Sequence, residues 1–187
     1  MPFTFEPCGL PGLLVIRPRV FADGRGFFLE TFKVSDFEAA GIVGPFVQDN
    51  QSLSARHVLR GLHYQLPPRA QGKLVRVLDG HVWDVAVDLR RSSSTFGKWF
   101  GIELSAESKA MLWVPPGFAH GFLTLSSTAH VLYKCTDEYS RDHETGIRWD
   151  DQSLAIQWPV RPVIVSDKDC SLPLLSEVHL PLAEARR

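Results

Sequence analysis

Short apolar runs that alternate with polar residues recur along the whole chain and are separated by glycine and proline. Alternation with a period of two residues is typical of a β-strand with one buried face. The pattern predicts strands at 13–17, 27–32, 57–65, 73–78, 81–89, 99–104, 111–114, 121–125 and 130–136. Many short strands at this spacing favour a β-sandwich or a β-barrel. The sequence therefore predicts an all-β fold.

Turn and cap residues add detail to this pattern. Asp79-Gly80 lies between two alternating runs and predicts a two-residue β-hairpin. Ser35 is a candidate N-cap for a helix over 36–40 that ends at Gly41. The tail from Ser176 onward is expected to be helical or frayed. Because no repeat, linker or low-complexity stretch interrupts the chain, we expect one domain over residues 1–187.

Composition narrows the class of protein. A chain of 187 residues with 44% hydrophobic and 22% charged residues is ordinary for a globular domain. The net charge of −1 gives no general attraction to nucleic acid or anionic membrane, so an anion site has to be a local cluster. Cys8, Cys135 and Cys170 suggest no disulfide framework, and neither a signal peptide nor a membrane-length apolar run is evident. We expect a cytoplasmic protein without nucleic-acid or membrane partners.

The run VLRGLHYQ places a fixed cation, Arg60, three residues before His63. Histidine is well suited to move protons near neutral pH, and arginine can hold an anionic substrate. A lone histidine in a strand is more often a packed core residue. In a regular strand the two side chains point to opposite faces, so both can line one cavity only if Gly61 marks a bulge.

Two neighbouring strands carry further candidate groups. Lys73 is either a solvated strand end or a cation that stabilises negative charge on a substrate oxygen. Asp84 and Asp88 share one strand face, where a carboxylate could orient His63 or Lys73, although solvated aspartates are about as common. Tyr133, further along the chain, is either a capped structural tyrosine or a general acid.

The segment VPPGFAHGF turns tightly and then presents His120. A PxGxxH run downstream of a histidine-bearing strand is similar to the two-part signature of cupin barrels. Metal-binding cupins carry HxH in the first part, whereas this chain reads His63-Tyr64-Gln65. A metal needs about three protein ligands, and His63 and His120 have no obvious third. We expect a cupin shape without a metal.

Eight motifs in order and with familiar spacing extend from about residue 3 to about residue 175. They are FADGRGFFLETF, FVQDNQSLS, VLRGLHYQ, QGKLVRVLDGHVWDVAVDLRRSSSTFGKW, PPGFAHGF, YKCTDEY, IRWDD and SDKD. Together they resemble the dTDP-4-dehydrorhamnose 3,5-epimerase family. The resemblance implies a cupin-type double-stranded β-helix (jelly roll) with a few short helices and neither metal nor cofactor. It further implies a homodimer with exchanged N-terminal strands, acting on dTDP-4-dehydro-6-deoxy-D-glucose to give dTDP-4-dehydro-L-rhamnose.

The same resemblance implies roles for individual residues. His63 would be the base, Asp169 its paired carboxylate, Tyr133 the acid on the opposite face of the sugar, and Lys73 the group that stabilises the enolate. His120 would lie close to the sugar, and Phe21 and Phe28 would help to form the base pocket. The remaining implied substrate contacts are Arg25, Glu30, Gln48, Asp49, Asn50, Arg60, Tyr139, Glu144 and Lys168. The stretch 139–145 departs from the usual Tyr-Tyr-x-Pro wording of the family.

Alternative functions remain open at this point. One is an epimerase that acts at a single carbon of a related nucleotide-linked 4-keto sugar. Another is a catalytically silent cupin that binds nucleotide sugar, and a third is a metal-dependent cupin enzyme, which the missing HxH disfavours. The set of His63, Lys73, Tyr133 and Asp169 favours the 3,5-epimerase, because a binding protein needs no acid–base pair.

Overall fold

The computed structural model describes residues 2–178, which form antiparallel sheets with short helical turns. The strands are Phe3–Pro7 (β1), Leu14–Pro18 (β2), Phe21–Asp23 (β3), Gly26–Phe28 (β4), Gln48–Ala55 (β5), Leu59–Gln65 (β6), Lys73–Asp79 (β7), His81–Asp88 (β8), Trp99–Ser105 (β9), Met111–Val114 (β10), Phe118–Thr124 (β11), Thr128–Cys135 (β12) and Glu144–Gly146 (β13). The helices are Val34–Ala39 (α1) and Asp167–Cys170 (α2), and Leu175–Glu177 forms a 3₁₀ turn. The predicted all-β, cupin-type fold is confirmed.

Two sheets form the barrel. The six-stranded sheet has the order β1-β2-β10-β7-β12-β5, and the five-stranded sheet has the order β13-β6-β11-β8-β9. Their facing sides bury one apolar cluster, in which Val75 and Val131 of the first sheet meet Ala86 and Phe122 of the second. Burial of such alternating apolar positions is the main favourable contribution to the fold.

The outer face of the five-stranded sheet is buried as well. Val85 and Val87 of β8 pack with Ile147, Leu154 and, more peripherally, Trp158 from the chain that follows β13. This explains why both faces of β8 are rich in apolar residues. The same packing brings the C-terminal segment of the described chain across the sheet, so that α2 lies beside β6.

The predicted hairpin at Asp79-Gly80 is wrong. The chain does turn tightly there, with φ of +73° at Gly80, but β7 and β8 belong to different sheets and do not pair with each other. A Cβ on Gly80 would lie 2.1 Å from the backbone oxygen of Thr128, so the turn is pressed against the start of β12. Alternating runs on both sides of a turn look alike whether the strands pair or separate into two sheets.

Other element predictions differ in detail. Of the strand expected over 27–32, only 27–28 lie in a strand, and β5, a polar strand at a sheet edge, was not predicted. The N-cap of α1 is Lys33 rather than Ser35, which lies within the helix, whereas the expected stop at Gly41 is borne out by its positive φ. Of the expected tail, Ser176 and Glu177 lie in the 3₁₀ turn, and 179–187 lie outside the described residues. Between residues 2 and 178, no helix is long and apolar enough to cross a membrane.

Candidate active site

The strand that carries His63 is irregular where the sequence predicted a bulge. Across the pairing of β6 with β11, Arg60 is opposite Phe122 and His63 is opposite His120, so β6 has one extra residue. Gly61 lies in this step with φ of +136°, and a Cβ there would be 2.5 Å from Cα of Gly121. Only glycine fits such a close approach with this backbone conformation. The bulge places Arg60 and His63 in the wall of the same cavity.

That cavity has a volume of about 620 Å³, within the ordinary range for ligand sites. It is lined by residues of β5, β6, β7, β11 and β12 and by the segment 164–169. A smaller cavity of about 200 Å³ adjoins the same residues, including Gln48, Gln65 and Tyr139. The two cavities share four lining residues, Asn50, His63, Lys73 and Tyr133. These four therefore mark the junction of a two-armed cleft.

His63 is paired with a carboxylate from the far end of the described chain. Its Nε2 lies 2.7 Å from Oδ1 of Asp169, and Oδ2 of Asp169 accepts a hydrogen bond from the backbone N–H of Gly61 at 3.2 Å. Burial opposes ionisation of Asp169, but the hydrogen bonds from His63, Gly61 and Ser166 hold its pKa below the ordinary value. An ionised carboxylate only accepts, so Nε2 carries the proton and the Nδ1 lone pair is left free to act as a base.

Lys73 is a buried cation next to this histidine. Its Nζ donates a hydrogen bond to the backbone oxygen of His63 at 3.2 Å. Burial lowers the pKa of Lys73, and nearby Cys135, Glu144 and Asp84 oppose that effect. A desolvated ammonium interacts strongly with negative charge that forms on a ligand in the same cavity.

Tyr133 belongs to the other sheet and lines both arms of the cleft. Burial and the neighbouring Cys135 raise the pKa of its hydroxyl, and Arg60 acts in the opposite direction. The phenol therefore keeps its proton throughout the neutral range and can serve as a donor. His63 and Tyr133 come from different sheets of the barrel.

His120 forms a second buried pair, with Asp84. Its Nε2 lies 2.9 Å and 3.0 Å from the two carboxylate oxygens, and the side chains are 6% and 0% exposed. Of the two readings left open for Asp84, the solvated one is wrong, because the carboxylate is buried, and it orients His120 rather than His63. Asp88 is not solvated either. Burial opposes ionisation of the Asp88 carboxyl, but hydrogen bonds from Arg90 and two hydroxyls lower its pKa to about 2.

β5 contributes a polar face to the cleft that sequence reasoning found only in part. Asn50 and Ser52 line the larger cavity, and Gln48 lines the smaller one. Buried Ser54, which was not predicted, accepts a hydrogen bond from Nε of Arg60 at 2.9 Å. Asp49 points the other way and pairs with Lys134 at 2.8 Å, so it does not join the cleft within this chain. Strand parity in QDNQS was the signal that could have separated Asp49 from its neighbours.

A cluster at the mouth of the cleft joins the divergent stretch to α2. Oε2 of Glu144 accepts hydrogen bonds from the Tyr139 hydroxyl at 2.8 Å and from Nζ of Lys168 at 2.6 Å. Burial opposes ionisation of Glu144, but these two donors lower its pKa. The three side chains border one or other of the two cavities.

The N-terminal candidates lie apart from the cleft in this chain. Phe21, Arg25 and Phe28 surround a separate surface pocket on the hairpin formed by β3 and β4. Phe28 is 66% exposed, and Arg25 forms an exposed ion pair with Asp23. Glu30 has a buried carboxylate oxygen that receives no hydrogen bond from the described residues. Among residues 2–178, no group of three or more potential metal ligands comes together.

Comparison with known proteins identifies the family of this chain. The family model for dTDP-4-dehydrorhamnose 3,5-epimerase matches residues 7–177. The chain belongs to this family. It is 56% identical over 161 residues to the dTDP-4-dehydrorhamnose 3,5-epimerase of Shigella flexneri, which covers 86% of this chain and 89% of the relative.

Solved structures of this family and its relatives have the same fold. The dTDP-6-deoxy-D-glucose-3,5-epimerase of Legionella pneumophila, solved in complex with dTDP-4-keto-L-rhamnose, superposes with a TM-score of 0.93 at 46% identity, covering 98% of this chain and 100% of that one. A 3′-monoepimerase from Streptomyces bikiniensis, in complex with dTDP-quinovose, gives a TM-score of 0.85 at 32% identity over 91% of this chain and 87% of that one. The shared fold therefore carries both double and single epimerases.

Proposed function

We propose that the protein converts dTDP-4-dehydro-6-deoxy-D-glucose to dTDP-4-dehydro-L-rhamnose by epimerisation at C3 and C5. The observation that carries this proposal is the junction of the cleft, where the His63–Asp169 pair, Lys73 and Tyr133 meet. Membership of the epimerase family and the similarity to the Legionella enzyme support the same substrate class.

The chemistry requires a base, an acid and a group that lowers the energy of an enolate. Nδ1 of His63 removes the proton next to the C4 ketone, and Asp169 stabilises the imidazolium that forms. The ammonium of Lys73 stabilises the negative charge on the C4 oxygen, which is the largest contribution for such a weak carbon acid. Tyr133 then delivers a proton to the opposite face of the ring and inverts the carbon.

The larger arm of the cleft is suited to the nucleotide end of the substrate. Arg60, held by Ser54, provides a guanidinium for the diphosphate, and Asn50 and Ser52 extend a polar strand face for further contacts. His120, fixed by Asp84, lies beside the sugar. Binding energy from the diphosphate holds the ring while each carbon is presented to the base. The sugar keeps its oxidation level, so the residues of this chain suffice without a redox cofactor.

We also propose that the working unit is a cytoplasmic homodimer in which the β3–β4 hairpin reaches the partner's cleft. The exposure of Phe21 at 48%, Phe27 at 59% and Phe28 at 66% supports this arrangement, because clusters of exposed aromatic rings are typical of interaction sites. Arg25, Glu30 and Phe28 would then complete the nucleotide site in the partner. The three free thiols of Cys8, Cys135 and Cys170 support a reducing compartment.

The decisive experiment is proton exchange in heavy water. The keto sugar is incubated with the protein in D₂O, and deuterium at C3 and C5 is followed by NMR. We expect label at both carbons and none with His63→Ala. Tyr133→Phe should lose the L-configured product while some exchange survives. Absence of deuterium at both carbons with the wild-type protein would refute the proposal that the protein is an enzyme. Substantial exchange by His63→Ala would mean that another residue is the base.

A second candidate is epimerisation at one carbon only, because this chain shares its fold with a 3′-monoepimerase as well. The same spectra separate the two candidates. Label confined to C3 or to C5, with the other carbon unlabelled after many turnovers, would replace the proposed double epimerase by a single one.

The dimer proposal is tested by complementation. An Arg25→Ala chain keeps His63 but has a defective hairpin, and a His63→Ala chain has the reverse defect. If hairpins exchange, mixed dimers of the two inactive variants contain one complete site and recover up to half of the activity of one wild-type dimer. Light scattering that shows a monomer, or mixtures that stay inactive although mixed dimers form, would contradict the exchange.

A further inference from the structure

The four-residue helix α2 carries the carboxylate that pairs with the base, yet its own side chains make few contacts with the barrel. A helix this short is not stable on its own in water. Its one buried residue is Asp169 itself, so no apolar side chain of α2 anchors it to the barrel. The contacts that its own side chains make with the barrel are therefore polar, while the chain just before it is bonded to the start of β6 through the backbone of Ile164.

These polar contacts attach α2 to two neighbouring strands. Asp169 binds His63 and Gly61 of β6, and Lys168, one residue earlier, binds Glu144 of β13 at 2.6 Å. β13 pairs directly with β6, with Gly146 opposite His63. The strand pair is thus a rigid frame, and α2 is attached to both of its members through consecutive side chains.

We infer that the Glu144–Lys168 ion pair is a positioning pair that holds α2 on β13 and thereby keeps Asp169 against His63. The inference rests on the proposed role of His63 as the base. It gives these two residues a function in the free enzyme, before and apart from any contact with substrate. The Ser166 hydroxyl supports the same placement by accepting a hydrogen bond from the Asp169 N–H at 3.1 Å.

Loss of this ion pair should loosen the helix without unfolding the barrel. The chain after α2 is held separately, because Leu172 packs tightly over Gly146. Lys168 is 58% exposed, so the pair is of the partly solvated kind that contributes modestly. We therefore expect an effect of about three- to fivefold on the rate of proton removal rather than its abolition.

The test compares Glu144→Gln, Lys168→Met, the double variant and the charge-reversed pair Glu144→Lys with Lys168→Glu. Single-turnover deuterium uptake from D₂O gives the rate of the chemical step, and steady-state kinetics give kcat and KM. The matched control is Asp167→Asn, which changes the charge of the same helix at an exposed side chain with no hydrogen bond among the described residues.

Both single variants should lose about three- to fivefold in exchange rate and kcat with KM within twofold of the wild type. The double variant should be no slower than the slower single variant, and charge reversal should recover at least half of the wild-type rate. Asp167→Asn should be unchanged. This pattern cannot come from the altered charge alone, because the two single variants change the local charge in opposite directions.

A raised KM with an unchanged exchange rate would overturn the inference and leave Glu144 and Lys168 as substrate contacts only. The inference would also be overturned if the double variant lost the sum of the two single losses in rate and the charge-reversed variant recovered nothing. The wild-type protein is measured in the same series. Its failure to exchange would refute the proposed function, whereas normal exchange by all variants would refute only the positioning pair. Thermal melts check that each variant is folded. If Glu144→Gln on β13 does not fold, the test rests on a comparison of Lys168→Met with Lys168→Arg, and the arginine variant should keep the ion pair and the exchange rate.

Discussion

Replacing Asp169 by asparagine tests how the base is prepared, because the two residues have nearly the same shape. In the native site one carboxylate oxygen binds Nε2 of His63 at 2.7 Å and the other accepts from the Gly61 N–H at 3.2 Å. An amide can keep only one of these acceptors. If its nitrogen faces His63, the imidazole has to move its proton to Nδ1, which removes the free lone pair of the base.

If the amide oxygen faces His63 instead, the amide nitrogen meets the Gly61 N–H, and two donors face each other in a buried site. The first arrangement has the wrong tautomer, and the second leaves a buried donor without a partner, at a cost of about 1–3 kcal/mol. The lost hydrogen bond to a charged group adds about 1.5–3 kcal/mol. At about 1.4 kcal/mol per factor of ten, the chemical step should slow roughly 10²- to 10⁴-fold.

The assay is single-turnover deuterium uptake at C3 and C5 by Asp169→Asn, with thermal melting as a check on folding. We expect KM to change much less than the exchange rate, because the substituted atom prepares the base and does not hold the nucleotide. An exchange rate within threefold of the wild type in a folded variant would refute this account of the His63–Asp169 pair.

Four further predictions concern stability and binding. Gly61→Ala should lower the free energy of unfolding by about 2–4 kcal/mol in urea titrations, because its Cβ meets the facing strand, and an equally stable variant would contradict the bulge. Lys73→Met should abolish measurable exchange yet raise Tm by about 2–4 °C at neutral pH, since burial disfavours the charged ammonium. Because the pKa of Lys73 is lowered in the fold, this Tm difference should shrink as pH rises toward about 10.4. A Tm difference that stays constant with pH would argue against the lowered pKa. Ser54→Ala should raise KM about tenfold with a smaller change in kcat, because Arg60 loses the acceptor that orients it, and an unchanged KM would remove Ser54 from the nucleotide site. Asp88, with a pKa of about 2 in the fold, contributes stability above about pH 4 that is lost as pH falls toward 2. The stability of Asp88→Asn should therefore depend less on pH in that window, as urea unfolding at pH 5 and pH 2.5 will show.

The sequence predicted those parts of the site that depend on local geometry. Arg60 and His63 cannot share a cavity in a regular strand, and Gly61 between them is the residue that permits a bulge. The irregularity of β6 therefore followed from spacing once the family resemblance placed both residues in one site.

Long-range pairings were not accessible in that way. Asp169 reaches His63 across 106 positions of the sequence, and only family resemblance suggested the pairing. Asp84 was placed on a candidate face by alternation, but its partner is on a strand whose register no local pattern encodes. The prediction of a hairpin at Asp79-Gly80 was wrong for the same reason, because the whole barrel decides which strands pair with each other.

The pairing of His63 with Asp169 has a consequence for how the active protein comes into being. The histidine is synthesised in the first half of the chain, whereas its carboxylate arrives near the end, after the last strand of the barrel. A nascent or truncated chain that ends before residue 169 can contain every barrel strand and still hold an unprepared base. On the proposed mechanism, only nearly complete chains are competent for proton transfer, so a prematurely terminated product that folds would bind the nucleotide sugar without converting it.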